Sequence, residues 1–285
     1  MDRAVNDDEQ EGRDALAIPD PIRHRVLVGV LRRVARTRAR ETLVLRGGLL
    51  ARLWSLPAHR PADDVDFLAT FAFDRERTVS MLREALTSSS NSADRIEDGV
   101  TFLSEQFHDQ VIWEETHSPG VRVIVPARCE YYAFEVQIDV GFGDVLEPPA
   151  IEFDYPAPDS DLPVRLLATP VELGIAWKLH GLFEFGRGRW RAKDLWDLYL
   201  WGHHATVDRA QLMRAVRVAF ESRGLALTET QRLFQNDFGL SRGARRKWST
   251  FRRRRHDPSI PEEHLPVVQW VADYFRPLFV ELGAL

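Results

Sequence analysis

Apolar positions change rhythm along the chain, and the rhythm marks out two halves. Ile22, Val26, Leu27, Val30, Leu31 and Val34 recur at helical intervals, which predicts a helix over residues 21–40 with an apolar face and an arginine face. Residues 42–45 are short and β-prone, Gly47 and Gly48 follow, and residues 49–54 suit a helix, so this stretch predicts strand, tight turn, helix. A loop over 57–61 leads into a strand over 64–71, and Asp74 is placed to cap a helix running to about residue 86, ended by a serine-rich run at 87–91. Residues 100–107, 110–114, 121–125 and 132–140 cluster or alternate β-formers and predict further strands. Five of the sixteen prolines fall between residues 147 and 163, the best place for a domain boundary. Beyond it the periodicity is helical, over 170–185, 192–201, 207–223, 229–237 and 262–282. The pattern therefore predicts an α/β half over residues 21–160 and a helical half over residues 161–285, preceded by a charged arm at residues 1–20.

Composition narrows the class without deciding it. Apolar residues make up 44% and charged residues 28%, ordinary values for a globular chain. The single cysteine, Cys129, forms no internal disulfide and reads as a small buried residue after a β-rich run, which suits a reducing compartment. No apolar run approaches a membrane span, and the N-terminus is acidic where a signal peptide would be basic, so a cytoplasmic location and no membrane partner are expected.

The net charge of −5 hides an uneven distribution. Residues 1–20 hold seven acids against Arg3 and Arg13, enough to account for the whole net charge, and their low apolar content predicts disorder. The remainder is neutral, with its cations clustered. Arg242, Arg245, Arg246, Lys247, Arg252, Arg253, Arg254 and Arg255 stand in one stretch without an acid, with Trp248 and Phe251 among them. Such a cluster gains affinity for nucleic acid by counterion release, and either aromatic could stack an unpaired base, although a solvated basic helix face has the same composition. Arg23, Arg25, Arg32, Arg33, Arg36, Arg38 and Arg40 form a second cluster on the first helix.

The candidate chemistry starts at Asp64 and Asp66. Alternate strand residues share a face, so the two carboxylates aim at one point, and hard oxygen ligands of this kind suit Mg²⁺ or Mn²⁺ beside a nucleotide phosphate. Asp139 alternates with Ile138 and Val140 and faces away from the apolar side, where it can complete a metal site or take a proton from an acceptor hydroxyl. Gly47 and Gly48 permit close backbone approach, with amides at a helix start offered to phosphate. Lys178 lies on a helix beside Ile175, Leu179 and Leu182, so its ammonium is held at the edge of a packed face. Asp194 and Asp197 are one helical turn apart and share a face, and the spacing leaves open which of them orients Lys178 or a substrate. Arg187, Arg189 and Arg191 precede that helix and add capacity for phosphate.

Four segments together resemble a known family. Leu45-Arg46-Gly47-Gly48-Leu49-Leu50-Ala51-Arg52-Leu53 and Arg60-Pro61-Ala62-Asp63-Asp64-Val65-Asp66-Phe67 are similar to the opening motifs of the AbiEii/AbiGii-type nucleotidyltransferase toxins. The stretches from Glu172 to His180 and from Arg191 to Tyr199 are similar to that family's lysine and aspartate motifs, in the same order. The resemblance implies a polymerase-β-like nucleotidyltransferase fold with a helical C-terminal domain, and the toxin of a type IV toxin–antitoxin pair with a cognate antitoxin. It implies transfer from an NTP, with a pyrimidine nucleotide favoured, to the acceptor end of transfer RNA, which blocks aminoacylation. By position it makes Asp64 and Asp66 metal ligands, Lys178 a triphosphate contact and Asp194 the fourth-motif aspartate. Ala62 and Leu49 depart from the family pattern, which places small hydroxyl residues there and so has more phosphate contacts. Two alternatives share these residues: the same chemistry on a protein or small-molecule acceptor, and a catalytically degenerate nucleic-acid-binding regulator that works through its arginine clusters.

Overall fold

The computed structural model describes residues 18–58, 60–88, 96–113, 119–184, 190–235 and 238–285. Most of the acidic arm, Arg187 and Arg189, the end of the serine-rich run and the last residues of the helix expected over 229–237 lie outside the described residues.

Helix α1 (Asp20–Ala35) starts with Pro21 in its first turn, where a missing N–H costs nothing, and a 3₁₀ turn (Arg38–Glu41) leads to β1 (Leu43–Arg46). Then come α2 (Gly48–Trp54), β2 (Val65–Ala69) and α3 (Arg75–Ser88). The Asp74 carboxylate accepts from the Arg77 amide at 2.9 Å, the cap expected from sequence. Strands β3 (Val100–Phe102), β4 (His108–Ile112), β5 (Gly120–Cys129) and β6 (Tyr132–Gly141) follow. Two strands go undetected by the hydrophobic pattern, β7 (Ile151–Tyr155) and β8 (Val164–Ala168), because prolines surround them. From Val171 onward every described element is a helix: α4 (Val171–Gly181), α5 (Ala192–His204), α6 (Arg209–Glu221), a 3₁₀ helix (Leu227–Phe234), α7 (Arg242–Arg255) and α8 (Leu265–Glu281). None of the described helices is long and apolar enough to cross a membrane.

The strands form one mixed eight-stranded sheet in the order β3-β5-β6-β2-β1-β8-β7, with β4 also paired to β5. Strand β2 sits centrally, antiparallel to β1 and parallel to β6. One face of the sheet is the core. Leu43, Leu45, Val65, Phe67, Ile138 and Val140 point into it and are sealed by Val26, Leu27, Val30 and Leu31 of α1. The alternate residues, Arg46, Asp66 and Asp139 among them, therefore face the other way.

A second core joins the helices from α4 to α8 and reaches back to the sheet half through Ala51 of α2. The Trp201 indole N–H donates to the Ala51 carbonyl at 3.4 Å, and the Trp54 and Trp201 rings meet edge to face with centroids 5.2 Å apart. Gly174 makes this joint possible, since a Cβ there would lie 2.7 Å from the Trp54 ring. Replacing Gly174 by Ala should overpack the joint and lower stability by about 1–3 kcal/mol. Urea unfolding of Gly174→Ala beside wild type checks this, and an unchanged midpoint would show that the two halves meet less tightly than the packing implies.

Candidate active site

Register across the sheet assembles the site. Arg46 of β1 lies opposite Asp66 of β2, Asp66 opposite Asp139 of β6, and Asp139 opposite Arg122 of β5. Neighbours in register point the same way, so the four side chains, one from each strand, form a row of two anions flanked by two cations. Asp64, just ahead of β2 and two residues before Asp66, comes up on the same side. Oxygens of Asp64, Asp66 and Asp139 all lie within 4.8 Å of one another, about twice the Mg–O distance of roughly 2.1 Å. The three carboxylates singled out in the sequence are thus brought together.

Gly47 and Gly48 shape the site, although the close approach they allow is made by a carboxylate. Gly47 has φ of +72°, and a Cβ there would sit 1.9 Å from Asp66 Oδ2. The Gly48 amide donates to that same Oδ2 at 3.3 Å. This N–H, expected to await a phosphate, is spent on fixing Asp66. Ala62 and Leu49, where hydroxyls are missing, are buried and face the core.

Three carboxylates this close resist ionisation together. Burial, then the neighbouring Asp66, push the Asp64 carboxyl up from 3.8 to about 7, with Lys193 working in the opposite sense. Asp139, which is buried, is compensated differently: Arg122 clamps it with Nε at 2.9 Å and Nη2 at 2.8 Å, and Gln137 donates at 3.1 Å. That fork raises the Arg122 pKa. On the other side Arg46 pairs with Asp144 at 2.7 Å and lies 5.1 Å over the Trp177 ring. Asp144 also holds Arg223, whose Nη1 lies 3.3 Å from His180 Nδ1. Burial and Arg223 lower His180 to about 4, so the imidazole is neutral near pH 7.

Facing the sheet is a second charged group. Lys178 Nζ of α4 pairs with Asp194 at 2.6 Å and Asp197 at 2.9 Å, both on α5, and sits 5.3 Å over the Trp201 ring. Burial opposes its charge, yet the two aspartates raise its pKa, so it stays an ammonium. Two of its three N–H donors are thereby engaged. Arg60, from the loop before β2, forks onto both Asp197 oxygens at 2.9 Å. Burial would weaken the Asp197 carboxylate, and Arg60 and Lys178 overcome it and hold the group far below the usual range. The geometry separates the two aspartates that spacing could not. Asp194 lines the cleft, whereas Asp197, expected from sequence as a nucleotide contact, is held by Arg60 and Lys178 and lines the neighbouring cavity.

A cleft of about 200 Å³ runs between these groups, lined by Arg46, Gly47, Gly48, Asp66, Lys178, Arg191, Lys193 and Asp194 among others. Thr169 lines it too, and its buried hydroxyl has no hydrogen-bond partner among the described residues. Sequence reasoning missed Arg60, Arg122, Lys193 and Thr169 as site residues. Arg60 stood within a quoted motif, and Lys193 is the exposed residue beside Asp194, so both carried a local signal. Arg122 and Thr169 are defined only by strand pairing.

The arginine clusters divide on inspection. In α7, capped by Ser241, the residues Arg242, Arg245, Arg246, Lys247, Arg253 and Arg254 are exposed, while Arg252 donates to the Ile260 carbonyl at 3.2 Å and Arg255 pairs with Asp63 at 2.8 Å. Trp248 cannot stack a base: it is 1% exposed and its indole N–H donates to the Pro261 carbonyl at 2.8 Å. On α1 the arginines are largely paired, while Arg36, Arg38 and Arg40 beyond the helix are exposed. Arg33 is buried on Asp98 at 2.6 Å, Arg25 pairs with Glu130 at 2.7 Å, and Arg32 is held by Asp159.

The donor set at the sheet suits a divalent cation. It consists of carboxylate oxygens alone, converging at a point where burial and then mutual repulsion leave one pKa near 7, and a cation there would relieve that repulsion. Comparison with known proteins accords with this chemistry. At the level of fold the chain is similar to two solved structures: a proposed nucleotidyltransferase from H. pylori (TM-score 0.51, 15% identity, covering 93% of this chain and 98% of that one) and JHP933 from Helicobacter pylori (TM-score 0.50, 15% identity, covering 91% and 92%). No curated protein sequence matches significantly. The family model described as nucleotidyl transferase AbiEii toxin, type IV toxin–antitoxin system, matches residues 29–274, most of the chain, and the protein therefore belongs to the AbiEii nucleotidyltransferase toxin family.

Proposed function

We propose that the protein moves a nucleoside monophosphate from an NTP, with a pyrimidine favoured, onto the 3′ acceptor end of a transfer RNA in the cytoplasm, and so blocks aminoacylation. A cognate antitoxin, as the family implies, would hold this activity in check. The observation that carries the reading is the convergence of Asp64, Asp66 and Asp139, with Asp66 lining a cleft that Lys178, Arg191 and Lys193 line as well. The sheet with α2 then serves as a polymerase-β-like catalytic core, and the helices beyond residue 160 as a C-terminal domain that faces the triphosphate.

In this reaction the acceptor 3′-hydroxyl oxygen bonds to the α-phosphorus as its proton passes to solvent water, the bond to the bridging oxygen breaks, and pyrophosphate leaves with the electron pair. Mg²⁺, or Mn²⁺, held by the three aspartates would supply Lewis-acid stabilisation of the attacking and leaving oxygens. Asp66 is kept in place for this by the Gly48 amide, and Asp139 by Arg122. As a proton acceptor Asp139 would first have to leave the Arg122 fork, so we assign it to holding the cation. Lys193, Arg191, the Thr169 hydroxyl and the remaining N–H of Lys178 face the triphosphate, and Asp194 orients Lys178. The exposed cations of α7 contact the RNA backbone.

Incubation with each labelled NTP and total RNA should place label at RNA 3′ ends, most from CTP or UTP, and Asp66→Ala should reduce it to background. Label on protein or small molecules alone would reassign the acceptor, and no label in any fraction would sink the catalytic reading. The carboxylate cluster gives a second test. Asp64 has a folded-state pKa of about 7 against an ordinary 3.8, so between those values the folded state holds a proton that the unfolded state has lost. Without metal, stability should fall as pH rises through this window. A divalent cation needs the ionised form, so Mg²⁺ should raise Tm more at about pH 8 than at about pH 5. Asp64→Asn should flatten the metal-free pH slope and remove most of the Mg²⁺ increment, and a wild-type Tm indifferent to Mg²⁺ at both pH values would count against the cation site.

A further inference from the structure

A separate cavity of about 330 Å³ lies beside the cleft, between α5, the C-terminal end of α7 and the loop before β2. Arg60 and Lys193 line both spaces, so the two adjoin across these side chains. Its walls are mainly apolar. Trp196 is stacked on Tyr199 with centroids 5.1 Å apart and meets Trp248 edge to face at 6.2 Å, which fixes its orientation. Phe251 packs against the same Trp248 at 5.5 Å, and Ile260 closes the floor. The half-buried Phe251 ring beside an apolar wall matches the face of a nucleobase.

The charges around the cavity favour a base over a phosphate. Arg60 is committed to Asp197 and Arg255 to Asp63, which leaves their charge locally balanced. Asp20 is likewise paired with Arg52 at 2.8 Å, Lys193 is shared with the cleft, and Asp257 adds a carboxylate to the lining that can accept a hydrogen bond from the exocyclic amine of a base. The phosphates have another place, since the exposed cations of α7 run along a helix whose last turn forms the cavity wall. Arg255 ties that turn to Asp63, the residue next to Asp64. A strand that follows α7 with its backbone is thus delivered, at its end, to the cavity beside the carboxylates.

We infer that this cavity receives the unpaired terminal base of the acceptor RNA, stacked against Phe251 with the buried Trp196 as part of the wall, while the NTP occupies the cleft. The inference rests on RNA being the acceptor. It makes Phe251 a binding residue for the acceptor, with no part in binding the NTP.

The test compares a short RNA hairpin bearing a single-stranded 3′ overhang with the same hairpin ended blunt, by fluorescence anisotropy on the full chain. Wild type should bind the overhang form more tightly. Phe251→Ala should weaken that form about tenfold, the loss of one stacked base, with the blunt hairpin and CTP bound as before, and Phe251→Tyr should retain the preference. A photoactivatable thiouridine at the overhang terminus should crosslink wild type at the peptide carrying Phe251 or Trp196, a readout independent of how well any variant folds. Equal binding of the two hairpins by wild type, equal weakening of both by Phe251→Ala, or crosslinking elsewhere would overturn the pocket. Weakened CTP binding in Phe251→Ala would overturn it as well, by giving the cavity to the free nucleotide. Overhang preference without label transfer to RNA would fail the transferase reading and keep the pocket. Label transfer that is indifferent to Phe251 would do the reverse.

Discussion

Electrostatic repulsion among three carboxylates is the constraint around which the molecule is arranged. Asp64, Asp66 and Asp139 are aimed at one point by strand alternation and by the parallel pairing of β2 with β6. Each has a different answer to that repulsion: Asp66 accepts from the Gly48 amide, Asp139 is clamped by Arg122, and Asp64 keeps its proton until about pH 7. Arg46 and Arg122 sit at the two ends of the same row across the sheet. The unfavourable term is therefore contained inside the sheet itself, with one carboxylate left uncompensated and ready for a cation.

The charges of the helical elements obey the opposite rule. Lys178, Arg60, Asp194 and Asp197 form a balanced group of two cations and two anions, deeply buried where Arg60 and Asp197 meet. Removing one member of such a pair strands a buried charge, typically at a cost of about 3–5 kcal/mol. Because Arg60 comes from the loop before β2 and Asp197 from α5, this group also sets where the helices stand against the sheet, together with the Trp54–Trp201 contact and the Arg255–Asp63 pair. The cationic side of the cleft is consequently positioned relative to Asp64 and Asp66 by the same ion pairs that hold the fold together.

What could be read from the sequence follows from which interactions are local. Asp64, Asp66 and Asp139 were legible because strand alternation is a two-residue rule, and the Asp74 cap because it acts over three residues. Arg122 was not, since its partner is set by the β5–β6 register, which no short window reveals. Strands β7 and β8 were hidden by the prolines that also suggested a boundary at residue 160, although β8 pairs with β1 and belongs to the same sheet. Trp248 was misread as a stacking residue because eight cations around it gave the segment a solvated composition, while its own position faced the core. The arginines of α1 show the same effect, since composition records that they are charged and tertiary pairing decides that they are spent.

The missing hydroxyls at residues 49 and 62 gain a physical account from this arrangement. Both positions are filled by apolar side chains that are buried, Leu49 in full and Ala62 to within 2%. A Cβ on Gly48 would come 3.4 Å from that of Ala62, so the loop before β2 packs directly onto the glycine turn. With the Gly48 amide turned to Asp66, the turn is built as a support for a carboxylate more than as a cradle for phosphate. On the proposed reading, capacity for phosphate then has to come from Lys193 and Arg191, exposed on the helical side, and from Thr169 at the end of β8, whose hydroxyl has no partner among the described residues. Division of labour between the two halves is thus stricter here than the glycine pair alone would suggest, with the sheet holding the acidic centre and the helices offering the cations.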